Sequence, residues 1–284
     1  MEDTLKTTTY FKTPEIKNQI LTRYESILEN WQQPNQTYSL ATRQGQTFVI
    51  ETGNKNNPPL ILLHSSGSSS YMWASEIEVY AQHFRVLAID IPGEIGKSEE
   101  YRASWDNEDF IEWMEDIYKE LNLQQAIITG ISLGGWIAMK WASIFPHKVI
   151  KLIVMCPVGI TSFRVSFFIR ALFLSFQGSK GQKKMAQLMF NSKDIHPEVF
   201  SYFQLIADGF IYRRGAPPLL TKESMEKLSM PLLFLGGDKD VMINNEKSAH
   251  RLKQIIPKAT IKIKKNMGHA VFGVSKEIVE FIVN

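Results

Sequence analysis

The chain holds a single cysteine, Cys156, so it can form no internal disulfide and no zinc site built from several thiolates. A reducing compartment is the expected setting. No stretch reaches the roughly 18 uninterrupted apolar residues that a membrane-spanning helix needs. The opening residues, MEDTLKTTTYFKTPE, have neither a basic start nor an apolar run, and a cytoplasmic location is expected. Neither sign of charge dominates. The 32 Lys and Arg against 29 Asp and Glu leave a net +3, too small a surplus for a general nucleic-acid binder. No internal repeat or low-complexity segment is present. What remains is ordinary for a folded protein: 284 residues, 44% hydrophobic and 21% charged, enough to bury a large core. One large domain with an inserted subdomain is expected.

Short apolar runs rich in β-branched residues alternate with helix-like segments, the pattern of βαβ units in a mainly parallel sheet. The clearest strands are 59–64 (PLILLH), 85–90 (RVLAID), 126–131 (AIITGI), 150–156 (IKLIVMC), 231–236 (PLLFLG) and 259–264 (ATIKIK). Residues 38–43 and 46–51 read as a leading antiparallel hairpin that turns at Gln44-Gly45. Helical patterns cover 105–121, 133–145, 245–256 and 276–282, and an additional N-terminal helix covers about 14–31, with Pro14 suited to a first turn. The rhythm breaks between residues 159 and 230, where helix-like segments at 162–176 and 197–208 occur without a convincing strand. Phe163, Phe167, Phe168, Phe173 and Phe176 crowd the first of these segments. They either fill a small core of the insert or line an apolar pocket.

The strongest chemical signal is Gly130-Ile131-Ser132-Leu133-Gly134-Gly135, directly after a strand and directly before a helical run. A Gly-x-Ser-x-Gly match alone is weak, but this context is that of a nucleophile elbow, whose sharp strand-to-helix turn projects the serine hydroxyl above a sheet. A serine hydroxyl needs a base to take its proton, most often a histidine oriented by a carboxylate. Downstream, strand 231–236 runs into Gly237-Asp238-Lys239-Asp240, and strand 259–264 into Asn266-Met267-Gly268-His269. Ser132, Asp240 and His269 thus occur in the chain order of the Ser…Asp…His triad on an α/β sheet. Asp238, two residues from Asp240, has either a supporting role or a place in the turn. The Leu133 N–H follows the nucleophile at a helix start and is one candidate oxyanion donor. The small-residue loop His64-Ser65-Ser66-Gly67 after strand 59–64 is the expected source of the second.

With these motifs the chain resembles the α/β-hydrolase superfamily over nearly its whole length, and within it the bacillus-type carboxylesterases of the naproxen-esterase kind. His64-Ser65-Ser66 is similar to the family's His-Gly-x loop, which assigns the second oxyanion N–H to Ser66, although Ser65 replaces the usual glycine. Asp90-Ile91-Pro92-Gly93-Glu94-Ile95-Gly96-Lys97-Ser98 resembles the family's Asp-x-Pro-Gly landmark with one extra residue, as in the bacillus enzymes. The Thr42 to Thr47 hairpin and the Gly-x-Ser-Leu-Gly-Gly elbow are similar as well. The resemblance implies an α/β-hydrolase fold with a mostly parallel eight-stranded sheet flanked by helices. Residues 1–158 and 231–284 would form its core, and 159–230 a helical cap inserted after the sixth strand. It places the pocket between the cap and the carboxyl ends of the strands; Met72 and Trp73, shortly after the oxyanion loop, are candidates to line it, with a helix-anchoring core role the favoured alternative for Trp73.

The expected function is a serine carboxylesterase acting on apolar carboxylic esters, with no cofactor and no metal, and a small-molecule ester as its partner. No nucleic acid and no stable membrane insertion are expected; the oligomeric state is left open. A serine at the elbow argues against the dehalogenases and epoxide hydrolases of this fold, which carry aspartate there. C–C bond hydrolases, lactonases and aminopeptidases keep the serine and remain alternatives, as does a signalling or receptor protein that has kept the triad. A further reading treats SFRVSFFIRALFLSF, with Arg164 and Arg170 among its aromatics, as a membrane-surface helix.

Overall fold

The computed structural model describes residues 9–31 and 33–284. Residues 1–8, part of the expected core segment, lie outside them. Helix α1 (Pro14–Glu29) leads into strands β1 (Asn35–Thr42) and β2 (Gly45–Thr52). Then follow β3 (Pro59–Leu63), α2 (Ile77–Ala81), β4 (Arg85–Ile89), α3 (Asp109–Glu120), β5 (Ala126–Ile131), α4 (Leu133–Ile144) and β6 (Val149–Met155). Four helices come next: α5 (Val165–Ser175), α6 (Gly178–Phe190), α7 (Pro197–Gly209) and α8 (Lys222–Glu226). The chain closes with β7 (Leu232–Gly237), α9 (Asn245–Ile255), β8 (Thr260–Lys264) and α10 (Ser275–Val283).

The eight strands form one sheet in the order β1-β2-β4-β3-β5-β6-β7-β8. Only β2 runs against the others, pairing antiparallel with both β1 and β4. Every residue of β5 and β7 is buried, as expected of strands covered by helices on both faces. On α3, Phe110, Trp113, Met114 and Ile117 recur at helical spacing and are buried, which fastens that helix to the sheet. The edge strand β8 is half-buried throughout, and its Lys262 and Lys264 both bond to Glu277 of α10 at 2.8 Å. Charged lysines and a covering helix keep that edge from recruiting another strand.

Element boundaries differ from the sequence expectation mainly at helix ends. Helix α1 stops at Glu29 rather than near 31, and α3 starts at Asp109 rather than at 105. The four residues before α3 form a turn in which Trp105 stacks on Phe110 and meets Trp136 edge-on, a tertiary use of the ring that helical periodicity does not report. Between β6 and β7 no strand forms among the described residues. A single antiparallel bridge joins Phe210 to Phe11.

That bridge belongs to a second, small core. Phe11 and Ile20 from the N-terminal segment pack with Tyr202, Ile206 and Phe210 from and just after α7, and the Tyr202 hydroxyl donates to the Ile20 carbonyl at 3.3 Å. The N-terminal helix therefore fastens the helical insert to the body of the molecule. The aromatics in and around α5 divide, with Phe163 packing against the main core. Phe163 and Phe167 are half-buried, while Phe168, Phe173 and Phe176 point into solvent. Helix α5 is apolar on two sides and only the Leu174 side is covered, and aromatic density alone does not say which side that is.

Ile20 is completely buried at the junction of α1 and α7. Ile20→Ala should cost about 2–5 kcal/mol of stability, read as a lowered urea midpoint.

Candidate active site

Strand β5 ends at Ile131 and α4 begins at Leu133, so the whole change of direction falls on Ser132, at φ 52° and ψ −109°. A non-glycine residue held there carries on the order of 1–3 kcal/mol of strain and persists only when its surroundings enforce it. Here they do. The Ser132 N–H donates to the Met155 carbonyl at the end of β6, and the Ser132 carbonyl accepts from Trp136 and Val158. Gly134 N–H donates to the His64 carbonyl at 3.1 Å, which ties the elbow to the loop after β3. A β-carbon on Gly134 would lie 2.3 Å from the Leu63 carbonyl oxygen, so only glycine allows that approach.

Asp240 lies in the loop after β7 and His269 in the loop after β8. The fold brings both to Ser132. His269 Nδ1 donates to Asp240 Oδ2 at 2.7 Å, and Ser132 Oγ stands 3.0 Å from His269 Nε2. With the proton on Nδ1, Nε2 is left as the acceptor of the serine proton. All three residues are buried. Asp240 Oδ1 accepts the backbone N–H groups of Met242 and Ile243 at 2.7 and 3.1 Å, and Oδ2 also accepts from Asn245 Nδ2 at 3.0 Å. Burial alone would raise the Asp240 pKa; the pull of His269, its hydrogen bond and the two backbone donors outweigh it and hold the carboxyl below its ordinary value.

Asn245, the first residue of α9, escaped the sequence reading. It is buried, bonds Asp240, and also donates to the Gly237 carbonyl at 3.0 Å, fixing the loop that carries the acid. Its position five residues after Asp240, at a helix start, is the only sequence signal it offers. Asp238 points elsewhere, toward Lys239 and Lys265 at 3.7 and 3.8 Å, and takes no part in the chain of hydrogen bonds. Cys156, Asp240 and His269 place three potential metal-ligand atoms within 4.8 Å of one another. The histidine and carboxylate are bonded to each other, however, and burial pushes the Cys156 thiol pKa up, away from the thiolate a metal would need.

The loop after β3 approaches the elbow from the other side. His64 is a structural residue: Nδ1 donates to the Ser65 carbonyl at 2.8 Å, and Nε2 accepts from Ile91 N–H at 2.7 Å. Burial lowers its pKa and keeps it neutral. Glu94, within the Asp90 to Ser98 stretch, reaches across. One of its oxygens accepts from the Ser66 hydroxyl at 3.0 Å and from the Gly67 N–H at 2.8 Å. The other faces Arg213 Nε at 3.6 Å, both side chains being almost fully enclosed. Arg213 comes from the segment between α7 and α8 and lies over the Trp105 ring at 4.5 Å. Glu94 thus joins the candidate oxyanion loop to the helical insert, a pairing across distant segments that sequence spacing does not reveal. Gly67 turns at φ 66° directly under the Tyr212 ring, where a β-carbon would come within 2.4 Å of the ring. Among the described residues neither the Leu133 nor the Ser66 backbone N–H is given to another protein acceptor. Trp73 is buried in the main core and Met72 packs against it, so neither needs a place in a pocket.

Because the Asp240 pKa in the folded state lies below its ordinary value of 3.8, the ionised form adds stability above that value, and this is lost as pH falls through the lower folded pKa. Asp240→Asn should therefore show a smaller loss of melting temperature than the wild type on acidification below about pH 4. At neutral pH any turnover that uses this histidine should fall by roughly 10³–10⁴-fold in the same variant.

The chain is similar in sequence and fold to known proteins. A family model for the alpha/beta hydrolase fold matches residues 58–179. Carboxylesterase YbfK of Bacillus subtilis is 29% identical over 258 residues, covering 87% of this chain and 86% of its own length. The carboxylesterase nap of the same organism is 27% identical over 273 residues, covering 91% and 89%. The crystal structure of naproxen esterase from B. subtilis superposes with a TM-score of 0.81 at 26% identity, covering 94% of this chain and 97% of that one. The chain has the α/β-hydrolase fold and is homologous to these Bacillus carboxylesterases.

Proposed function

We propose that the chain is a serine carboxylesterase that cleaves apolar carboxylic esters through an acyl-enzyme on Ser132. The observation that carries this reading is the unbroken run of hydrogen bonds from Ser132 Oγ through His269 to Asp240, on a chain homologous to carboxylesterases. Ser132 Oγ attacks the ester carbonyl carbon while its proton passes to His269 Nε2. The carbonyl oxygen becomes an oxyanion, held by the Leu133 and Ser66 N–H groups, each worth on the order of 3–4 kcal/mol to the transition state. Collapse of the tetrahedral species breaks the carbon–oxygen bond to the alcohol, and the leaving oxygen takes the proton from His269. A water then gives a proton to His269 and attacks the acyl carbon, and the carboxylic acid leaves as Ser132 recovers its proton. Asp240, ionised throughout, stabilises the imidazolium that forms in each half.

Residues 159–230 act as the cap over this site, and 1–158 with 231–284 as the catalytic core. The relation to a naproxen esterase supports an ester with an aromatic, apolar acid part. An aminopeptidase would need an ionised carboxylate beside the serine to seat a free amine, and Glu94, which holds the Ser66–Gly67 loop, already faces Arg213. No described helix is long and apolar enough to cross a membrane. A cytoplasmic location accords with the buried, unpaired Cys156.

Initial rates on p-nitrophenyl esters from acetate to a long-chain acyl group, for wild type and Ser132→Ala, test the assignment. The expected result is fast turnover peaking at short or medium chains and a loss of about 10⁴-fold or more in the variant with unchanged circular dichroism. Retained turnover in a folded Ser132→Ala would overturn it.

A further inference from the structure

Helix α5 carries an apolar stripe that none of the described residues covers. Val165, Phe168, Ile169, Leu172, Phe173 and Phe176 follow one another at helical intervals of three and four along one face, and each is 54–81% exposed. Single exposed apolar side chains are ordinary, but a continuous row on one helix marks an interaction surface. The row has no hydrogen-bonding side chain within it to fix the register of a specific protein partner. The helix is 11 residues long, about half of what is needed to cross a bilayer, so it can lie on a lipid surface but not span it.

Charge narrows the choice of occupant. No Asp or Glu occurs anywhere between Glu120 and Asp194, whereas that stretch contains Arg164 and Arg170 beside the stripe and Lys180, Lys183 and Lys184 on α6. Arg170 and the three lysines are exposed. A second copy of the chain would bring two basic faces together, which is unfavourable, while an anionic lipid surface offers the complementary charge. The α5–α6 pair is also anchored to both loops of the hydrogen-bonded triad. Arg164 N–H donates to the Met242 carbonyl at 2.8 Å, just after Asp240, and Ala270 N–H, just after His269, donates to the Met189 carbonyl on α6 at 3.1 Å.

We propose that the exposed face of α5, rimmed by the basic residues of α5 and α6, seats the protein on anionic phospholipid surfaces. Such seating would bring lipid-borne esters to the site; that second part rests on the esterase reading, whereas the attachment itself does not.

Co-sedimentation with vesicles of phosphatidylcholine mixed with phosphatidylglycerol, and of phosphatidylcholine alone, tests it. Three proteins are compared: wild type, Phe173→Ser with Phe176→Ser, and Lys180→Ser with Lys183→Ser and Lys184→Ser. Wild type should bind the mixed vesicles, weakly bind the neutral ones, and be released by salt. The apolar pair of substitutions should lower partitioning by roughly tenfold or more, and the lysine substitutions should remove the preference for phosphatidylglycerol. Hydrolysis of a soluble short-chain p-nitrophenyl ester should be unchanged in both variants. That control separates the failure of this proposal from failure of the esterase assignment. Absence of wild-type binding to the mixed vesicles at low salt would overturn the proposal, as would binding that both variants retain. A concentration-dependent dimer in analytical ultracentrifugation, abolished by the Phe173 and Phe176 substitutions, would assign the stripe to a second copy and overturn it too.

Discussion

An ionised carboxylate enclosed at the carboxyl end of the sheet can be tolerated only if nearly every lone pair is met by a donor. Asp240 meets that condition with four: two backbone N–H groups, the Asn245 amide and His269. Each donor makes a demand on the fold. The backbone donors require a tight turn after β7, Asn245 requires α9 to start where it does, and His269 requires the β8 loop to fold over the end of β7. The parallel sheet supplies these requirements together, because adjacent parallel strands deliver their following loops to the same edge.

The serine makes the opposite kind of demand, for strain rather than for satisfaction. Ser132 holds its unusual backbone angles because β6 on one side and the His64 loop on the other each bond to the elbow. Strain of this size is small beside what the buried strands around it contribute, and it leaves the hydroxyl standing clear of the sheet toward the imidazole. The carboxylate, the imidazole and the hydroxyl thus line up because one edge of one sheet positions all three.

Much of this was legible in the sequence, for a definite reason. Ser132 follows directly on an apolar run that reads as a strand, Asp240 and His269 lie within a few residues of the ends of two others, and strand followed by loop is a local signal. The eight strands were legible on the same grounds, and the strandless stretch between β6 and β7 from the absence of such runs. The choice between Asp238 and Asp240 was harder, since two residues in one turn differ only in which way the backbone aims them, and Lys239 and Lys265 draw Asp238 away. The Glu94–Arg213 contact was out of reach because it joins distant segments through tertiary folding, and Asn245, although only five residues from Asp240, offered no more than its place at a helix start. Helix α6, GSKGQKKMAQLMF, was missed because its first half is glycine, lysine and glutamine with no apolar periodicity. The Phe-rich segment misled in the other direction: aromatic density suggested an interior, and the structure puts Phe168, Phe173 and Phe176 outside.

The central claim is that the fold activates one hydroxyl among many, through one histidine. An alkyl fluorophosphonate reacts covalently with such a serine, so intact-mass and peptide mass spectrometry after labelling test the claim most directly. The account predicts a single adduct on the peptide containing Ser132 in the wild type, formed at least about a hundredfold more slowly in His269→Ala. An adduct on a different residue, or labelling of Ser132 at an undiminished rate without His269, would contradict it.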